Sequence, residues 1–159
     1  MATTLSSFLD ATGTAKELVG MGARKLVLTA LLAGIVAVVT MVVNVPLPGV
    51  KGYVNIGDTV VLLAGMLFGP FTGAAAGGLG SALADLLLGY SYWAPWTLVI
   101  KGLEGLIAGW VAVHARKKAV LAAALAAAVM VLGYFTAGAV IYGVGPAAAS
   151  LPGDLLQGA

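Results

Sequence analysis

An all-α, polytopic membrane helix bundle is the fold class this sequence predicts, and three observations carry the prediction. Hydrophobic residues make up 61% of the 159-residue chain and charged residues only 9%, whereas the surface of a soluble domain needs about a quarter of its residues charged. Mean hydropathy is +1.07. The apolar residues fall in runs of helix-spanning length, separated by short stretches rich in proline, glycine and charge. The length bounds the chain to one domain. With no cysteine and a single histidine, His114, there is no disulfide framework, no thiolate or histidine metal cluster and no cysteine nucleophile. A net charge of +2 is too small to imply a nucleic-acid partner, and no catalytic, metal or cofactor residues are expected.

Taken in order, residues 1–23 form a segment preceding the membrane domain. They carry Asp10, Lys16 and Glu17 and no continuous apolar core, so they do not read as a cleaved signal peptide. Thr14 with Glu17 three residues later makes a capping-box pattern, predicting a short interfacial helix over 14–22. The membrane domain occupies 24–159. Its first span is KLVLTALLAGIVAVVTMVV (25–43), followed by a loop, NVPLPGVKGYVN (44–55), broken by prolines and glycines. IGDTVVLLAGMLFG (56–69) is apolar but only about 21 Å long as a helix, an incomplete or shielded span where roughly 20 apolar residues are needed to cross. Gly69-Pro70 turns the chain into the third span, 70–89. After the connection YSYWAP, the fourth span covers 96–114 and the fifth 119–143. The remaining VGPAAASLPGDLLQGA reads as a loop over 144–152 followed by the first turns of a sixth helix, so that five spans and a stub are visible.

Basic residues set the orientation. Arg24, Lys25, Arg116, Lys117 and Lys118 fall on one side and Lys51 alone on the other, which places the N-terminus in the cytoplasm and the 44–55, 90–95 and 144–152 loops outside. The pairs Gly65/Gly69, Gly73/Gly77 and Gly105/Gly109 are spaced for close helix approach, most simply within the bundle. The first span also carries small residues, Ala30, Ala33, Gly34 and Ala37, and no interior charge. That face suits contact with another membrane protein.

Asp58, Asp85, Lys101 and Glu104 lie within or at the ends of apolar segments, where a charge costs several kcal/mol and usually faces a cavity or a partner. Lys101 and Glu104, three apart, share one helix face. As a structural ion pair they would only hold the bundle; as a site they would line a polar pocket. Tyr92, Trp93 and Trp96 stand at the outer end of the same helix, with Trp96 about 7 Å above Lys101 by helical rise. Aromatics beside a buried charge pair point to recognition of a flat polar ring. Asp58 has a second reading as a first-turn acid in a helix capped by Asn55. Lys51, Tyr53 and Asn55 lie on the loop that could close over the pocket.

The run NIGDTVVLLAGMLFGPFTGAAAGGLGSALADLLLGYSYWAPWTLVIKGLEGLIAG, together with the terminal LPGDLLQ, resembles the substrate-binding S components of energy-coupling factor (ECF) vitamin transporters. Within these it is most similar to the subgroup handling pyridoxine or hydroxymethylpyrimidine-type precursors. The resemblance implies six helices in the plasma membrane of a prokaryote and a vitamin or precursor held near the outer face. It implies a ligand site drawn from Tyr53, Asn55, Asp58, Asp85, Tyr92, Trp93, Trp96, Lys101, Glu104, Asp154 and Gln157. It further implies docking of the small-residue face of the first span on a transmembrane T subunit powered by two ABC-type ATPases. No G-x-x-x-x-G-K-[ST] phosphate loop is present in this chain. The sixth helix of that family should follow LPGDLLQ, so the chain reads as C-terminally incomplete, with Asp154 where the subgroup often carries Asn. Two other classes stand beside transport: a structural or assembly membrane protein without a ligand, which leaves Lys101 and Glu104 unexplained, and an intramembrane enzyme using Asp58, Asp85 and Glu104 as acids and bases, for which no nucleophile–base pair is seen.

Overall fold

The structure, a computed structural model, describes residues 2–46, 53–115 and 118–158. Its elements are α1 (Ala2–Val42), β1 (Asn44–Pro46), β2 (Tyr53–Asn55), α2 (Gly57–Phe68), α3 (Pro70–Leu87), α4 (Ala94–His114), α5 (Ala119–Tyr142) and α6 (Val144–Gly158). The fold is therefore an all-helical bundle of six helices among the described residues, with one short hairpin. Among the described residues, three stretches are long and apolar enough to cross a membrane: Gly22–Val42, Ala94–His114 and Ala119–Tyr142. At 12 residues, α2 spans only about 18 Å, consistent with a shielded, incomplete crossing. The glycine-rich α3 packs on α1, α2 and α4. Covered on several sides, it presents less surface to lipid and can carry more small and polar residues.

Burial is inverted relative to a soluble protein. Lys101 and Glu104 are each 1% exposed, whereas Phe71 is 83% exposed and Val120 84%. Large apolar side chains turned outward while charges turn inward make a surface suited to lipid, because intramembrane charges face the bundle interior. On α4 the buried positions Ala94, Thr97, Lys101, Glu104, Ala108 and Val111 recur every three or four residues, the stripe of a helix with one inward face.

The turns follow from backbone chemistry. Gly69 (φ 96°) and Gly143 (φ 90°) end α2 and α5 in a left-handed conformation that glycine adopts without a Cβ penalty. Pro70 opens α3 in the first turn, where its missing N–H costs nothing. The small-xxx-small pairs are used inside the bundle. A methyl group on Gly65 would collide with the Gly105 carbonyl, and one on Gly109 would lie 2.6 Å from the Pro70 nitrogen.

Several sequence expectations are corrected. The short helix over 14–22 is not separate: α1 runs unbroken from Ala2, since no proline interrupts residues 2–42, and Thr14 falls inside it rather than at its start. The 44–55 loop contains an antiparallel pairing, with Val45 opposite Val54; Lys51 lies outside the described residues. The largest correction is at the C-terminal end. Residues 144–152, expected as a loop, are helical. α6 begins directly after the Gly143 turn and holds LPGDLLQ within it. Pro146 falls in its first turn, where proline is tolerated. Pro152 lies inside the helix, where the sequence signal for a break was outweighed by packing on α5 and β2.

Candidate ligand-binding site

Side chains from every helix except α2, together with β2, line a cavity of about 70 Å³, several times the roughly 10–15 Å³ that admits one water. One wall is aromatic. Trp93 packs edge-on to Tyr134 with ring centroids 5.8 Å apart and tilts against Tyr142 at 6.1 Å, all three facing the cavity. These rings hold α4 and α5 at a distance that leaves space between them.

The floor is polar and ordered. Lys101 Nζ donates to Asp58 Oδ1 and to Glu104 Oε2 at 2.9 Å. It stands 5.5 Å from the Tyr134 ring centroid, within cation–π range. Asp58 Oδ2 accepts from Gln157 Nε2 at 2.9 Å. Gln157 Oε1 in turn accepts from the Asn55 backbone N–H at 3.0 Å and lies 3.3 Å from Asn55 Nδ2. Asn55 Oδ1 accepts from the Gly57 N–H at 2.7 Å, closing the entry to α2. A continuous network thus joins α4, α2, β2 and α6. A buried ion pair repays its desolvation only when such additional hydrogen bonds satisfy it.

Of this network, Lys101, Asn55 and Gln157 line the cavity, whereas Asp58 and Glu104 lie behind Lys101 and hold it. Both readings of Asp58 have a basis, since it lies in the first turn of α2 and also pairs with Lys101. Asp85 and Tyr53 line the cavity as well, the Tyr53 hydroxyl donating to Asp85 Oδ1 at 2.6 Å. Burial, and then the neighbouring Asp85 carboxylate, push the Tyr53 hydroxyl well above its ordinary value, so it remains a donor. Asp154, on α6, lies within hydrogen-bond distance (3.0 Å) of Ser150 and also faces the cavity.

Two expected site residues lie elsewhere. Trp96 borders a separate apolar groove with Leu103 and Leu132 and is 39% exposed. Five residues of helix rotate it about 140° away from Lys101, so closeness along the axis does not bring it to this cavity. Tyr92 is 42% exposed and stacks edge-on to Tyr142 without lining the cavity. On α1, Ala37 is buried at 3% and the Ala33 carbonyl lies 2.5 Å from where a Gly80 Cβ would stand. Ala37 is thus covered within the bundle and the Ala33 backbone lies against α3, while Ala30 and Gly34 remain exposed. The sequence reading missed Thr40, Thr97, Tyr134, Tyr142 and Ser150, all of which line the cavity. Tyr134 and Tyr142 had a signal: they are the two tyrosines of an otherwise alanine-rich span.

A lipid-facing helical bundle that encloses a polar cavity with one aromatic wall defines a membrane protein built to hold a small molecule. The profile of the family described as ECF-type riboflavin transporter, S component, matches residues 21–159, and the chain belongs to that family. It is 47% identical over 124 residues, 77% of this chain and 83% of the relative, to an uncharacterized protein of Pyrococcus woesei. It is 33% identical over 135 residues, 84% of this chain and 78% of the relative, to the thiamine precursor transporter HmpT of Lactococcus lactis subsp. cremoris. A UPF0397 protein of Streptococcus pneumoniae is 35% identical over 72 residues, 45% of this chain and 39% of that protein.

Proposed function

We propose that this chain is the substrate-capturing subunit of an ECF-type importer for a single-ring vitamin precursor of the hydroxymethylpyrimidine or pyridoxine kind. The carrying observation is the cavity itself, with Trp93, Tyr134 and Tyr142 on one side and the Lys101–Gln157–Asn55 floor on the other. Aromatic faces stack on a flat ring, and the fixed polar groups match its donors and acceptors. The small volume supports one ring rather than a fused three-ring system, and the likeness to HmpT supports a thiamine precursor. The chain itself hydrolyses nothing in this reading. Uptake is driven by a T subunit docked on the exposed Ala30 and Gly34 stripe and by two ABC-type ATPases.

The cavity mouth faces outward in this proposal, with the N-terminus in the cytoplasm. The charge asymmetry behind that orientation includes Lys51, Arg116 and Lys117, which lie outside the described residues, and Arg24, Lys25 and Lys118, which do not. A cysteine at position 45, on the hairpin, should react with an impermeant reagent from outside the cell, and one at 118 should not; the reverse pattern inverts the orientation. The binding test is equilibrium titration of the purified chain with 4-amino-5-hydroxymethyl-2-methylpyrimidine, pyridoxine, thiamine and riboflavin. Saturable binding of a single-ring compound is expected. Binding of riboflavin and of neither single-ring compound would overturn the assignment.

A further inference from the structure

Asp85 stands out among the cavity residues. It is 3% exposed, lines the cavity, and its Oδ1 is occupied by the Tyr53 hydroxyl. Its Oδ2 is buried with no hydrogen-bond partner. No lysine or arginine among the described residues forms an ion pair with it, since Lys101 is engaged with Asp58 and Glu104. The Thr97 hydroxyl accepts from the Tyr134 hydroxyl at 3.3 Å and lies beside the Asp85 carboxyl, to which its own O–H is turned, yet it closes no hydrogen bond of normal geometry on Oδ2. A second cavity oxygen, Thr40 Oγ1, is likewise buried and unpartnered.

Leaving a buried carboxylate oxygen unsatisfied is costly, and native proteins do so rarely outside functional positions. A carboxylate only accepts hydrogen bonds. The group that completes Oδ2 as a carboxylate oxygen must therefore bring an N–H or O–H. We propose that Asp85 Oδ2 is the specificity determinant of the cavity and selects rings bearing an amino group, an aminopyrimidine above all, against the same ring bearing an oxygen at that position. Resting on the ligand class proposed above, the inference names which member of that class the site takes. A 4-oxo ring would set a carbonyl oxygen against the Asp85 oxygen, acceptor facing acceptor. A site built around such a contact rejects the analogue lacking the donor strongly.

The test is a competition titration on the full chain in detergent or nanodiscs. The probes are 4-amino-5-hydroxymethyl-2-methylpyrimidine, its 4-oxo analogue and pyridoxine. The amino compound should bind at least about 100-fold more tightly than the 4-oxo analogue. D85N, whose side-chain amide offers both a donor and an acceptor, should lose most of that ratio by weakening the amino compound and strengthening the oxo analogue. A merely structural Asp85 would lower both affinities together and leave the ratio unchanged. A wild-type ratio near one overturns the inference even if D85N fails to fold. Equal affinities for the amino and oxo rings, or tighter binding of pyridoxine, overturn the Asp85 inference and leave the single-ring reading standing. Binding of none of the three overturns both.

Discussion

Between α2, α3 and α4 the helices meet backbone to backbone, whereas at the Trp93 end of the molecule α4 and α5 are held apart by aromatic rings. In the first region Gly65, Gly73, Gly105 and Gly109 leave no room for a methyl group, and the Gly73 Cβ position lies 2.6 Å from the Gly105 carbonyl oxygen. In the second, Trp93, Tyr134 and Tyr142 prop open a cavity. Lys101 belongs to both, because it grows from the tightly packed helix and its ammonium ends in the cavity. The contrast teaches a division of labour: one half fixes the position of the charge, and the other keeps space around it.

The largest expected effect comes from breaking the packed half. Gly105→Leu would drive a side chain into the Gly73 backbone, where neither partner can give way. We expect a loss of at least about 3 kcal/mol, read as the disappearance of folded monomer in size-exclusion chromatography. Recovery of normal yield and thermal stability would show that the helices can separate cheaply.

Lys101→Met comes next. It strands Asp58 and Glu104 in the interior and should cost about 3–5 kcal/mol. The structure shows that neutralising Glu104 alone would not repair this, since Asp58 also faces the lysine. Adding Asp58→Asn and Glu104→Gln together should restore much of the thermal stability but not ligand affinity. A triple variant that binds as tightly as the parent would make the cluster purely structural.

Smaller effects sharpen the contrast between the cavity and the outer surfaces. Trp93→Ala should weaken ligand binding by about 1–2 kcal/mol, while Trp96→Ala, on the outer groove, should change it by less than about 0.5 kcal/mol. Isothermal titration of the two variants compares them directly, and equal losses would dissolve the distinction. Least consequential for the isolated chain is Gly34→Trp. Nothing lies within 4 Å of the Gly34 Cβ position, so folding and binding should persist within about 0.5 kcal/mol while co-purification with a T subunit is lost. Intact assembly would move the docking surface elsewhere.

The helices and the buried charges were legible in the sequence because both follow from composition along a line: long apolar runs, glycine spacing, and four ionisable residues where lipid should be. What was not legible depends on rotation and on distant contacts. Trp96 and Lys101 are close along the helix axis but face different ways. Ala37 looked available for a partner but is buried within the bundle. The proline pair at 146 and 152 looked like a loop, because local propensity carried no trace of Gln157 reaching Asp58, 99 positions away in sequence. Asp58 could be read either as a first-turn acid or as an ion-pair partner, and only the fold showed that it is both.

The central claim is that the ligand occupies the cavity behind Trp93 and not the groove beside Trp96. Tryptophan fluorescence tests it most directly, since the chain holds three tryptophans, at 93, 96 and 110. In the W96F/W110F variant, which keeps Trp93 alone, titration with 4-amino-5-hydroxymethyl-2-methylpyrimidine should give a saturable change in emission. In W93F/W110F, which keeps Trp96 alone, it should give none. A saturable signal from Trp96 with Trp93 silent would contradict the account.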